Sequence, residues 1–375
     1  MRRIPTLLIL IAALLAVPVY GQQAVDPEQR LALALETLAA GRYAEAEAEL
    51  RAVIDTDPQL EQAYLGLAES LLGQRRGREA TLVVANLAQR MIQQGRDGEA
   101  RDLLERAIQI DPNLAVAHAL LGVARLGIGD FSGSVAALRQ AMELGERSQQ
   151  TQLILAAAEW ELGEHAAAEA TYRAVVESSG GDPVALHQLG GLLLWQGRYD
   201  EAVPPLDAAA RAAPPTPDLL YDLGRALDGA GQLDAALIVL GQVVQAAPEH
   251  AQARYAYARL LARTGDTARA REEMARWQAL YQAEQVMLRE SKLAAAQLER
   301  GWKLLGDGDA AAAADHFRGL PTSTDSLYGI GLSLSALGDH VGAVEALQRA
   351  VGLDPDRRDI QRRLAIERLA VEQRP

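Results

Sequence analysis

PVALHQLGGLLLWQGRYDEAVPPLDAAARAAPPT, residues 183–216, decides the fold. Leu186, Leu189, Gly190 and Leu193 fall on one face of a helix, at the spacing expected when 3.6 residues make a turn. Gly197-Arg198-Tyr199 interrupts that helix, and a second follows through Ala202, Leu206 and Ala209 until Pro214 closes it. One period of 34 residues later the features return as Leu223, Gly224, Leu227, Gly231, Ala236, Leu240 and Pro248.

Working outward, the first helix of each unit carries a small residue at Ala34, Ala88, Gly122, Ala156, Gly190, Gly224, Ala258, Gly301 and Gly331. The second helix answers with Ala46, Ala100, Ser134, Ala168, Ala202, Ala236, Ala270, Ala313 and Ala343. Between them stand Gly41, Gly95, Gly129, Gly163, Gly197, Gly231, Gly265, Gly308 and Gly338, and closing prolines stand at 58, 112, 214, 248 and 355. Two antiparallel helices approach closely only where both side chains are tiny. A larger residue at the crossing overpacks the pair by about 1–3 kcal/mol. Glycine inside a helix costs about 0.8–1 kcal/mol against alanine, so its recurrence at one position implies that close contact offsets the cost. The turn glycine ends the first helix through a left-handed residue, and proline stops the second from continuing.

In this pattern of nine units the chain resembles the tetratricopeptide repeat family. The resemblance implies an all-α fold, an α-solenoid in which antiparallel helix pairs stack into a right-handed superhelix. It covers almost everything after residue 26. Composition agrees: Ala and Leu dominate a hydrophobic fraction of 49%, and only two Phe occur.

The register breaks twice. Residues 61–77 make a good first helix, with Tyr64, Leu67, Ala68 and Leu71, yet the next proline-closed unit begins near residue 81. Three helices are therefore expected where two or four would be regular, with an irregular stretch near 61–114. Residues 266–300 contain no Gly or Pro, and a second helix lengthened by about two turns absorbs the surplus. Trp277, Leu280, Tyr281, Leu288 and Ser291 lie near one stripe of it. The expected organisation is a leader over 1–21, a first array over 22–284, a repeat pair over 285–357, and a charged capping helix over 358–375.

The leader is read from Arg2 and Arg3, the apolar run Leu7–Val17, and the small-residue end Val19-Tyr20-Gly21, with cleavage expected after Gly21. This predicts a periplasmic or secreted protein. The alternative is an inner-membrane anchor formed by an uncleaved helix from Ile4 to Val19. The chain has no cysteine, which excludes disulfides, thiolate zinc sites and cysteine nucleophiles. Its net charge is −13, a poor match for nucleic acid or anionic membrane surfaces.

No catalytic constellation emerges, and the expectation is a non-enzymatic protein without cofactor or metal. The six histidines, at 118, 165, 187, 250, 316 and 340, form no His-Glu-x-x-His pair. There is no phosphate loop and no nucleophile elbow. Asp307-Gly308-Asp309 lacks the remaining ligands of a calcium loop.

In the family this chain resembles, first helices line a concave groove where ligands lie. The groove face is rotated about a quarter-turn from the small crossing residue. Carried over residue by residue, that gives His187, Trp195, Tyr221, Arg225, Tyr255, Arg259, Arg263 and Trp302 as the candidate partner-binding face. Aromatic rings supply rigid contact area and arginine supplies paired donors for carboxylates. The competing reading packs these rings between repeats. The family's subtype that clamps a terminal carboxylate through Lys and Asn is not supported, because Asn86 and Asn113 are unsuitably placed. The expected partner is a peptide or envelope protein, with no nucleic acid and no membrane insertion after cleavage of the leader. An alternative is an accessory scaffold for polysaccharide export, with the same rings stacking on sugar.

Overall fold

The computed structural model describes residues 26–355 and 357–372, so the leader expected over 1–21 lies outside the described residues. Among the described residues there are nineteen helices and no strand. The chain divides into two compact units, one up to Val239 and one from Leu240 on. In chain order the helices are α1 (Pro27–Ala39), α2 (Tyr43–Thr56), α3 (Glu61–Gly73), α4 (Gly77–Gln93), α5 (Asp97–Ile110), α6 (Ala115–Gly127) and α7 (Phe131–Glu143). They continue as α8 (Gln149–Leu162), α9 (His165–Ser179), α10 (Pro183–Trp195), α11 (Tyr199–Ala212), α12 (Pro217–Gly229) and α13 (Leu233–Ala246). The last are α14 (Ala251–Arg263), α15 (Thr267–Gly306), α16 (Ala310–Arg318), α17 (Thr324–Ala336), α18 (His340–Leu353) and α19 (Arg358–Glu372). From α1 to α12, and again from α14 to α19, each helix packs against the next in sequence. Among the described residues, no helix is long and apolar enough to cross a membrane.

All nine turn glycines sit at positive φ, between 73° at Gly41 and 96° at Gly265, where a side chain would be strained. The small second-helix residues are buried at every repeat. What the first-helix glycines face differs from expectation. A Cβ at Gly122, Gly190 or Gly331 would collide with Leu138, Leu206 or Leu347, four residues beyond the second-helix small residue. The glycine makes the notch and the leucine fills it; the alanine only lets the backbones draw near. Ser134 shows the closeness directly, its hydroxyl donating to the Gly122 carbonyl at 2.7 Å.

Over 61–114 the chain runs α3, α4, α5, and α4 packs on both neighbours. Its Ala80 is the second-helix small residue toward α3, and its Ala88 is the first-helix small residue toward α5; both are fully buried. The turn into α4 has no glycine: Arg75 adopts φ 61°, the one non-glycine at positive φ among the described residues.

The lengthened helix exceeds the two turns expected. α15 runs unbroken for 40 residues, because nothing between Thr267 and Gly301 can stop it. Its first turns bury Ala270 as the second helix of one repeat, and its last turns bury Gly301 as the first helix of another. Phe317 of α16 is fully buried between Gly301 and Gly329, where a Cβ on either glycine would collide with the ring.

Helix α19 buries Ile360 and Leu364. It is pinned by Glu367, a buried carboxylate that accepts from Ser335 at 2.6 Å and pairs with His340 at 2.7 Å and Arg363 at 2.8 Å. Burial opposes ionisation of Glu367, yet these bonds outweigh it and hold the carboxyl below its ordinary range.

Arginine also serves the turns. Arg42, Arg76, Arg96 and Arg198 each bond the glutamate three residues on, at Glu45, Glu79, Glu99 and Glu201. Arg76 and Arg198 reach back as well to Glu47 and Glu169, on the second helix of the preceding unit, each at 2.6 Å.

Candidate partner-binding surface

The eight candidate residues lie on α10, α12, α14 and α15. On α10 and α12, His187 Nε2 lies 3.2 Å from the Asp222 carboxylate, whose other oxygen is 3.6 Å from Arg225. The Arg225 guanidinium stands over the Tyr221 ring at 5.5 Å. A cation placed there is drawn to the ring's negative face. Tyr221 is half-buried, and that burial pushes its phenol above the ordinary range. His187, Tyr221, Asp222 and Arg225 therefore form one polar-aromatic patch, with Arg225 exposed.

Trp195 stands at the end of α10. It meets Trp160 edge-on at 4.8 Å and His165 at 4.6 Å, while Trp160 and His165 lie 4.9 Å apart. Trp160 and His165 are half-buried, and Trp195 is 62% exposed. Rings this close leave no room for a ligand between them, so the usable surface is the outer face of Trp195.

On α14, Arg259 stands 5.7 Å from the Tyr255 ring, repeating the Arg225–Tyr221 geometry one period on. Tyr255 also packs on Trp277 at 4.8 Å, and Trp277 stacks on Tyr281 at 5.7 Å. Among the described residues Arg259 makes no ion pair. Arg259, Arg263 and Arg271 line an open cleft of about 490 Å³ between α14 and the start of α15, floored by Ala258, Ala262, Ala270 and Met274. Trp302 is half-buried against Phe317 at 4.8 Å and Tyr328 at 6.0 Å, which is repeat packing and not an open face.

Sequence reasoning missed Asp222, His165 and Arg271. Each had a signal in the repeat register. Asp222 follows Tyr221 on the same helix, and His165 starts a second helix 30 residues before Trp195. Arg271 occupies the position where Glu47 and Glu169 stand in earlier units. Among the described residues, no three His, Asp or Glu side chains are grouped as a metal site would need.

Family models described as tetratricopeptide repeat match residues 31–90 and 120–183, 193–244 and 229–290, 325–357, and 84–110. Together they take in most of the chain from 31 to 357, and the chain belongs to the tetratricopeptide repeat family. No curated protein matches it. Among solved structures, it is similar to a tetratricopeptide repeat protein from Parabacteroides merdae, with 15% identity over 76% of this chain and 98% of the other, and a TM-score of 0.45. It is similar also to the C-terminal part of a repeat protein from Cytophaga hutchinsonii, with 14% identity, 75% and 99% coverage, and a TM-score of 0.47. A third is YrrB, described as a TPR protein with an unusual peptide-binding site, with 18% identity, 55% and 96% coverage, and a TM-score of 0.42. The family assignment rests on the repeat models and not on these likenesses.

Proposed function

We propose that this chain is a non-enzymatic scaffold of the cell envelope that binds a peptide or protein partner through its first-helix face. The observation that carries the reading is the repeated pairing of an exposed arginine with a tyrosine ring, Arg225 on Tyr221 and Arg259 on Tyr255. Such pairs hold a guanidinium in a fixed direction, an arrangement suited to carboxylates and backbone carbonyls of a bound segment. A sugar platform needs bare ring faces. Here two of the four candidate rings carry arginine and Trp302 is packed away, so the polysaccharide alternative receives less support. The envelope assignment is supported by the leader-like sequence of residues 1–21.

The test is capture from an envelope extract with wild type and with the Arg225→Ala, Arg259→Ala double variant, followed by binding measurements on the purified captured protein. Loss of a specific partner in the double variant is expected. An unchanged set of partners would remove the first-helix face from consideration.

A further inference from the structure

In the regular repeats, the first helix of the next unit runs back across the second helix of the one before. Four contacts record its path. Gly73 lies against Tyr43, Gly127 against Asp97, Trp195 against His165, and Gly229 against Tyr199, each 30 residues later in the chain. Gly66 likewise lies against Leu50. The residue in Leu50's position is buried at Leu50, Leu104, Leu138, Tyr172, Leu206, Leu240, Phe317 and Leu347.

At α15 the next first helix does not run back in this way, because it is the far end of the same helix. The residue in the position of Tyr43 and Tyr199 is Thr267, and its counterpart 30 residues on is Gln297, still inside the same unbroken helix. At 1.5 Å per residue that places Gln297 about 45 Å away along the axis. Met274, in the Leu50 position, is accordingly only half-buried, while Ala262, Thr267 and Arg271 are exposed. The cleft lined by Arg259, Arg263 and Arg271 is the vacated seat.

Its charge differs from that of two covered seats. In two earlier units Glu47 and Glu169 receive an arginine from the following turn, while Arg101 holds the same position in another. Arg271 stands in their place, and the described residues that line the cleft include no carboxylate. Asp266 caps α15, Glu272 pairs with Arg276, and Glu273 pairs with Arg254 and Arg276. The apolar stripe through Met274 continues at seven-residue steps as Tyr281 and Leu288, both exposed.

We propose that this seat binds an acidic amphipathic helix of a partner protein, taking the place that the next first helix has in the other repeats. Small residues of that helix lie over Thr267 and Met274, and its carboxylates meet Arg259 and Arg271. Like-charged helices are excluded, which makes the arginines specificity determinants as much as anchors. The inference rests on the protein-binding reading above and shares Arg259 with it.

The probe is a labelled, hydrocarbon-stapled peptide with the sequence of α3, Glu61–Gly73, a net-acidic first helix whose two glycines already show the required contacts. It is titrated by fluorescence anisotropy against the full chain, beside a second peptide carrying Glu61→Lys and Glu69→Lys. The acidic peptide is expected to bind and the lysine peptide to bind about tenfold more weakly or worse. Arg259→Glu with Arg271→Glu should invert that order; both side chains are exposed, so thermal stability should change little. Failure of the acidic peptide to bind, or an order unchanged by the double reversal, overturns the proposal. If Arg225→Ala weakens the peptide as much as the double reversal does, the peptide lies on the first-helix face, which sinks the seat and leaves the broader reading standing. Sedimentation of the chain alone decides against a partner protein if it shows a dimer that the double reversal dissolves, because the occupant is then a second copy.

Discussion

Arg75 holds a backbone conformation that glycine takes at every regular turn of this chain. A non-glycine residue in the left-handed region carries a steric penalty of about 1–2 kcal/mol, from the Cβ against the following carbonyl oxygen. The turn persists because the helices it joins are pinned on both sides, with Ala68 buried before it and Ala80 after it. Arg75→Gly should therefore stabilise the protein by about 1 kcal/mol, less the extra entropy glycine gives the unfolded chain. Urea unfolding of the two forms checks this; a lower midpoint for the glycine form would contradict the strain assigned to Arg75. The nine regular turns were legible in the sequence because glycine at one register has a single cheap explanation. This tenth turn was not, because its residue gives no local sign of a left-handed backbone.

At the scale of the element, α15 is attached to its own repeat by a buried ion pair. Arg254 on α14 bonds Glu273 on α15 and also donates to the Pro248 carbonyl at 2.7 Å, with both charged side chains almost out of solvent. Removing one partner leaves the other charge buried and unmatched, at a cost of about 3–5 kcal/mol. Glu273→Ala should lower the melting temperature by several degrees, whereas Glu272→Ala, on the exposed Arg276 pair, should barely move it. Equal effects would show that the buried pair is no more than another surface contact. The sequence announced that a long helix was coming, since no breaker stands between 266 and 300. It gave no sign that Glu273 faces Arg254 instead of water, because one acidic residue among 50 looks like any other. The candidate site was legible to a similar degree. The register found Tyr221, Arg225, Tyr255 and Arg259, but it could not tell that Trp302 would turn into the Phe317 cluster, because that choice follows from the space around Gly301 and Gly329.

At the scale of the whole fold, carboxylates bonded to arginine within and between successive repeats shape the response to acid. Hydrogen bonding to Arg198 holds Glu169 and Glu201 below the ordinary carboxylate value of 4.5, and bonding to Arg96 does the same for Glu99. At Glu47 burial works the other way, but bonds from Gln74, Arg51 and Arg76 prevail and its carboxyl is also lowered. A group whose folded value lies below its unfolded one binds more protons when unfolded. Its stabilising effect is complete above 4.5 and fades as pH falls through the folded values. Helicity followed by circular dichroism should thus be insensitive to these groups between pH 7 and about 5, and thermal stability should decline steadily below 4.5. A rise in stability on acidification would reverse the assigned direction of the shifts.

The unbroken 40 residues of α15 make the relation between its two terminal repeats a matter of phase. Each residue added to or removed from the stretch between Ala270 and Gly301 turns everything beyond it by about 100° and moves it about 1.5 Å. A single insertion would swing the Gly301–Phe317 repeat more than a quarter of a circle about the shaft, while seven would bring it back to within about 20° of its bearing, one step further out. Length in this segment acts as a dial, with angle and reach geared together by the pitch of the helix.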